Sequence, residues 1–249
     1  MREPLVISNA MNAEPPISRP PLPRTPPDAL GPPIREQVII DDRTFVIDRP
    51  SDSDKLLNHP AIHAAFAADE YLPYWADLWP AARMLAKAIL REPWTDHAAR
   101  FDALTALEIG CGLGLPGIAA MAAGLRVTFS DYDATALKYA ADNARANGFF
   151  NFDTLQFDWR YPPPGIQFPV LLASDLIYEV RNIAPLVGLI QEAMHPDGMC
   201  LLTDQDRVPS HVLRDRLAAE GLPYTTQVMR AGEPGGRRVK GTLYRIRKR

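Results

Sequence analysis

The sequence predicts an α/β fold: a doubly wound sheet of mostly parallel strands, with one antiparallel strand in a C-terminal hairpin. Three observations carry this expectation. From Leu104 onward, short β-rich runs alternate with helical ones, and parallel neighbours require crossover helices. The first such run closes on Glu108-Ile109-Gly110-Cys111-Gly112-Leu113-Gly114, a glycine-rich passage from strand to helix. The last two runs, Tyr224–Met229 and Thr242–Arg247, are joined by the Gly-rich stretch Arg230–Lys240 without a helix, so one of them runs against the rest.

The elements follow in order. Ten of the 25 prolines lie in Met1–Glu36, where helix and ladder hydrogen bonds are both blocked, so residues 1–36 read as a disordered, polyproline-like arm. The folded domain is expected over 37–249, with an N-terminal hairpin and helices. Gln37–Ile47 places two β-rich runs around Asp41-Asp42-Arg43, which suits a hairpin. Ser51–Tyr71 reads as a helix, and Ala81–Arg91 as another after Pro80, which suits a first helical turn. Leu104–Ile109, Arg126–Ser130, Asp153–Phe157, Val170–Ala173 and Met199–Thr203 read as strands. Leu115–Ala123, Ala134–Asn147, Asn182–Met194 and Ser210–Glu220 read as helices, with Gly148 at a C-cap.

Composition narrows the class. A chain of 249 residues buries a sizeable core without disulfide or metal staples, and two cysteines are too few for a disulfide scaffold. A net charge of −3 gives no general attraction to nucleic acid or anionic lipid. No apolar run approaches a membrane span, and the N-terminus lacks a secretory pattern, so a cytoplasmic protein is expected.

The glycine loop offers bare backbone and a helix N-terminus to a ligand. Gly112-Leu113-Gly114-Leu115-Pro116-Gly117 fits G-x-G-x-x-G, a weak signal by itself. Asp131, at the tip of the next strand, is placed to accept from ribose hydroxyls. Together these indicate an adenosine-type cofactor, either a nicotinamide dinucleotide of an oxidoreductase or S-adenosylmethionine (SAM). Glu108 favours SAM, since a carboxylate there suits a cationic ligand and repels a pyrophosphate. A helix cap or a salt-bridge partner is the other reading of Glu108.

The run E-I-G-C-G-L-G-L-P-G-I resembles motif I of the class I, seven-strand SAM-dependent methyltransferases. It is most similar to methyltransferase family 16, the protein-lysine branch. Four further pieces match in the same order: P-Y-W-A-D-L-W-P-A-A upstream, then S-D-Y-D, F-D-W-R and A-S-D-L-I-Y-E, the last carrying the family's D-x-x-Y. The match runs from about Pro73 to Arg207. It implies a Rossmann-like, seven-strand sheet and an enzyme that methylates a lysine of a protein, with S-adenosylhomocysteine as product. Methylation of a small molecule or RNA remains the alternative, and a nicotinamide-dependent oxidoreductase a more distant one. The resemblance assigns the methionine end of SAM to the backbone of Gly110, Cys111, Gly112 and Gly114, and the ribose to Asp131. It sets Tyr132, Asp158 and Trp159 around the adenine, Ser174 in the cofactor pocket, and Trp79 near the cofactor. Asp175 and Tyr178 fall beside the transferring methyl, as the catalytic pair.

Other residues read more plainly. Cys111 fits a tight loop. His59 and His63 share a helical spacing but lack a third ligand, so no metal is expected. Arg237–Arg249 carries seven basic residues, interleaved with apolar ones as in a charged edge strand, so nucleic acid is not an expected partner. Neither is a membrane; a protein substrate is.

Overall fold

The N-terminal hairpin pairs β1 (Pro33–Ile40) with β2 (Arg43–Pro50) around Asp41, which takes a φ of 53°. This computed structural model describes residues 22–206, 210–232 and 238–248. The single helix expected over 51–71 is two, α1 (Ser53–Leu57) and α2 (Pro60–Asp69). Pro60 has no N–H to continue the ladder, and His59 caps the second helix by accepting from the Ala61 amide at 3.2 Å. A 3-10 turn at Tyr74–Ala76 leads into α3 (Pro80–Arg91), followed by a short α4 (Trp94–Ala98) that the sequence reading did not anticipate.

Strand and helix then alternate: β3 (Thr105–Ile109), α5 (Leu115–Ala122), β4 (Arg126–Asp131), α6 (Ala134–Ala146), β5 (Phe152–Gln156) and β6 (Phe168–Ser174). They continue with α7 (Val180–Ala193), β7 (Met194–Asp204), α8 (Ser210–Ala219), β8 (Tyr224–Ala231) and β9 (Val239–Arg247). Seven strands form one sheet in the order β5-β4-β3-β6-β7-β9-β8. All run parallel except β9, which pairs antiparallel with both β7 and β8. The basic C-terminal strand is therefore internal, and β8 is the edge. The alternation that suggested an edge strand instead buries Leu243 on one sheet face and Tyr244 and Ile246 on the other. Arg245 pairs with Glu92 at 3.1 Å.

Both faces of the sheet are covered. Ala106, Val170, Leu172, Met199 and Leu201 face α3 and α5, while Leu107, Leu171, Ala173, Cys200 and Leu202 face α7 and α8. This two-sided burial explains why the central strands read as nearly continuous apolar runs. The hairpin is clamped to α6 by side-chain amides: Asn143 and Asn147 each both accept from and donate to the β2 backbone, at Asp48 and Val46. Among the described residues no helix is long and apolar enough to cross a membrane.

The expected arm ends earlier than Glu36. Residues 1–21 lie outside the described part, but residues from Pro23 onward are docked. The Pro23 carbonyl accepts from the Ala134 amide at 3.2 Å and from Gln156 Nε2 at 3.1 Å. The Thr25 amide and hydroxyl both donate to the Asp133 carboxylate, which also accepts from the Tyr71 hydroxyl and caps α6 at the Thr135 amide. Asp133 is fully buried, so its replacement by alanine strands several donors at once. We expect Asp133→Ala to lower unfolding free energy by about 2 kcal/mol in urea melts, with native secondary structure kept. No loss of stability would show that this knot does not hold the N-terminal segment.

Candidate active site

The sheet reverses its winding between β3 and β6, and ligands of doubly wound sheets bind at the carboxyl ends of strands at that point. A cleft of about 560 Å³ opens there. The glycine loop between β3 and α5 forms its floor. Gly110 takes a φ of 58°, and a Cβ on it would stand 2.6 Å from Leu176 Cδ2 and 3.4 Å from the Trp159 ring. At that φ a side chain is strained, and Leu176 would have to move to admit one. Gly117 serves packing: a Cβ there would fall 2.5 Å from both Glu108 Oε2 and Phe129 Cε1. It lets α5 lie close on the sheet.

Asp131, at the tip of β4, lines the cleft beside this loop. Its Oδ2 accepts from the Gly112 amide at 2.9 Å and its Oδ1 from the Asp133 amide at 3.0 Å. A carboxylate offers about four lone-pair sites, so two remain for a pair of hydroxyls. Burial pushes its pKa up to about 6, against the opposing pull of those two amides.

Glu108 lies elsewhere than its position at the strand end suggested. It is buried beneath the loop, outside the residues that line the cleft, and its Oε2 accepts from the Gly117 amide at 2.9 Å. Burial holds its pKa well above the usual carboxylate range. It caps the first turn of α5, the helix-cap form of the plainer reading. Glu108→Gln retains an acceptor for the Gly117 amide, whereas Glu108→Ala leaves that donor buried and unbonded. Thermal melts should place the alanine variant about 1–2 kcal/mol below the glutamine variant; equal stabilities would remove the cap from the loop's support.

The remaining residues singled out in the sequence line the cleft in two groups. On the β4–β5 side stand Tyr132, Asp158 and Trp159. Asp158 is buried and accepts from the Arg160 backbone amide and side chain. Arg160 also pairs with Asp69 at the end of α2, and the Tyr132 hydroxyl donates to the same carboxylate at 2.6 Å. The Arg160 guanidinium holds the Asp69 carboxyl below its usual range. This ion-pair bridge was not legible in the sequence, because its partners lie 91 residues apart.

On the β6 side stand Ser174, Asp175 and Tyr178, joined by Tyr74, Asp77, Trp79 and Glu179. Asp175 is buried and takes a φ of 60°, a conformation costly for most side chains but within reach of aspartate. Its amide donates to the Thr203 carbonyl at 2.9 Å, and its Oδ2 accepts from Gln205 Nε2. Burial, then the neighbouring Glu179, pushes the Tyr178 hydroxyl up to about 12. Trp79 caps the approach to α3, donating its indole N–H to the Tyr74 carbonyl at 2.8 Å, and it belongs to this side of the cleft. Trp75 also lines the cleft, but its indole N–H is held by Tyr71 and Thr25 in the core. Tyr74 and Asp77 fall within the upstream tryptophan segment, whose composition alone does not show which side chains face the cleft.

The sequence profile described as lysine methyltransferase matches residues 74–214. A histidine protein methyltransferase homologue of Dictyostelium discoideum is 32% identical over 105 residues, 40% of this chain and 34% of the relative. A protein-lysine N-methyltransferase of Schizosaccharomyces pombe is 25% identical over 187 residues, 68% of this chain and 58% of the relative. The chain thus spans between a third and somewhat over half of these curated relatives. The N-methyltransferase NodS of Bradyrhizobium japonicum, solved with S-adenosylhomocysteine, superposes with a TM-score of 0.54 at 16% identity, covering 76% of this chain and 96% of that one. At that identity the likeness shows a shared fold.

Proposed function

The chain belongs to the lysine methyltransferase family, and we propose that it transfers the methyl group of SAM to the side-chain amine of a lysine in a protein. The observation that carries this reading is the charge of the cleft: seven carboxylates line it against two arginines. Such a wall attracts a cationic side chain and repels the phosphates of RNA. SAM itself is cationic, and the cleft offers it a fitting cradle. The bare backbone from Gly110 to Gly114 suits its amino-acid end, Asp131 its ribose hydroxyls, and Tyr132 and Trp159 its base.

When bound, SAM supplies a methyl group on a sulfonium, already a good leaving group. The chain's own residues then have to position the acceptor. A lysine ammonium has no lone pair, so the acceptor must shed a proton before it reacts. Partial desolvation in the cleft lowers its pKa, while Asp175 raises it, so Asp175 acts chiefly by accepting hydrogen bonds that orient the amine. Tyr178 sets a ring and a hydroxyl on the same side of the cleft.

Two experiments test the reading. S-Adenosylhomocysteine should raise the melting temperature in a concentration-dependent way, and NAD should not; the reverse order would return the fold to the oxidoreductases. Incubation with methyl-labelled SAM and host lysate, followed by mass spectrometry, should place label on lysine. A histidine acceptor is the second reading, favoured by the Dictyostelium relative. Label confined to RNA or small molecules would overturn both.

A further inference from the structure

Two consecutive carboxylates reach to opposite sides of the cleft. Asp69, the last residue of α2, accepts a fork from Arg160, Nη1 on Oδ1 at 2.9 Å and Nη2 on Oδ2 at 2.6 Å. Arg160 follows β5, and its Nε donates to Asp158 Oδ2 at 2.8 Å, so the fork is held from behind. Glu70 pairs with Arg181 in the first turn of α7, which follows β6, and Arg181 is also paired with Glu179. In the sheet, β5 and β6 stand on either side of β3. The segment from Asp69 to Leu72 lines the cleft, and its ion pairs tie it to both rims.

Packing does little to hold α2 in that place. The helix buries Ile62 and leaves its other side chains half-buried or exposed. The chain is firmly seated on either side of it: Leu56 in α1 is buried, and the Tyr71 hydroxyl donates to buried Asp133. Glu70 takes a φ of 51° and ends the helix abruptly between the ion pairs and the Tyr71 seat. An element with so few buried apolar contacts belongs to the low end of local stability. Ion pairs at a wet rim break and re-form readily and are weakened by salt.

We propose that α2 is a gate for exchange of the nucleoside ligand, latched by Asp69–Arg160 on one rim and by Glu70–Arg181 on the other. The proposal rests on the SAM reading above. One S-adenosylhomocysteine must leave and one SAM must enter for each methyl transferred, so a covered cleft has to open once per cycle. Breaking two rim ion pairs lets the helix swing without uncovering the core. The latch acts on the balance between open and closed protein rather than on the ligand. Weakening it therefore speeds entry and departure alike and leaves affinity nearly unchanged.

The test immobilises the full chain and follows S-adenosylhomocysteine by surface plasmon resonance. This ligand carries no net charge near neutral pH, so salt acts on the latch and little on steering. Raising sodium chloride from about 0.05 to 0.5 M should raise both rate constants of the wild type about threefold. Glu70 is the informative side, because Asp69 and Arg160 also hold Tyr132 and Asp158 in place. At low salt Glu70→Gln should raise both rate constants about threefold, with Kd within about twofold of wild type. Glu70→Arg, which sets like charges together, should be faster still. The double variant Glu70→Arg/Arg181→Glu reverses the pair and should return both rates to within about twofold of wild type. Unchanged rates in Glu70→Gln overturn the proposal. So does a rise in the dissociation rate alone, the mark of a lost ligand contact, and so does a double variant that fails to recover. If a variant does not fold, the wild type decides by itself: rates that do not rise with salt overturn the latch. Failure to bind S-adenosylhomocysteine at all would overturn the cofactor reading, and this proposal with it. Normal binding with rates indifferent to salt and to Glu70 removes the latch alone.

Discussion

Replacing Asp131 with alanine should weaken S-adenosylhomocysteine binding at least about a hundredfold, or about 2.7 kcal/mol. In the proposed cradle the carboxylate accepts from hydroxyls of the bound nucleoside, and two of its lone-pair sites are already taken by the Gly112 and Asp133 amides. The alanine variant removes the ligand's partner and leaves both amides to find another. Its pKa of about 6 adds a dependence on pH. Hydroxyl donors favour the ionised carboxylate, so affinity should fall as pH drops through about 6 and level off above it. Free-protein stability should move the other way. The folded-state pKa is raised above that of the unfolded chain, near 4, so the folded state holds the proton more tightly. The stabilisation this confers is complete below about pH 4 and is lost as pH rises through about 6. Asp131→Asn should bind the ligand poorly at every pH in the range, since its NH2 replaces one of the two oxygens that accept from the Gly112 and Asp133 amides. Calorimetry across about pH 5–8 tests both signs; a flat affinity over that range would remove Asp131 from the site.

The centre of the sheet, β6 and β7, was readable because doubly covered strands are written as nearly unbroken apolar runs, and because Pro80 and Gly148 mark helix ends locally. The glycine loop and Asp131 were readable for the same reason: their chemistry is local. What escaped the sequence is set by contacts across long chain separations. Thr25 is anchored by Asp133, 108 residues away, so a proline-rich segment that looks featureless in isolation ends in a docked strap. The order of β8 and β9 is fixed by which strand pairs with β7, and neither sequence reveals it. The sequence reads a helix to Met194 and a strand only from Met199, yet β7 begins at Met194, and Gly198 passes so close to the Pro169 carbonyl that a Cβ would lie 2.7 Å from it. Glu108 stands at the right strand end, but it turns beneath the loop, a choice made by the nearby Gly117 amide. Tyr74 and Asp77 were in view within a recognised segment. The 3-10 turn at Tyr74–Ala76 decides which of its side chains enter the cleft, and that turn has no signature in composition.

Asp175→Asn should lower kcat about a thousandfold, or about 4 kcal/mol of transition-state stabilisation, with S-adenosylhomocysteine affinity unchanged. Asparagine is the informative replacement because position 175 has a φ of 60°, which asparagine tolerates nearly as well as aspartate. Alanine there adds backbone strain to the loss of the carboxylate, and its effect on turnover would be mixed with one on stability. Asparagine removes the charge and one acceptor while keeping size and backbone. The two consequences pull in opposite directions. Without the carboxylate, the acceptor ammonium loses its proton more readily, so the acid limb of the kcat profile should shift to lower pH. Without the second acceptor, the amine is no longer held on line, so the plateau should fall. A carboxylate acting mainly as a proton acceptor gives a different result: the plateau is recovered at high pH, where solvent takes the proton. Measured across pH with thermal melts in parallel, a lowered plateau with an acid-shifted limb identifies orientation as the contribution of Asp175. A plateau within about threefold of wild type would take Asp175 out of catalysis, since so small a ratio is under 1 kcal/mol.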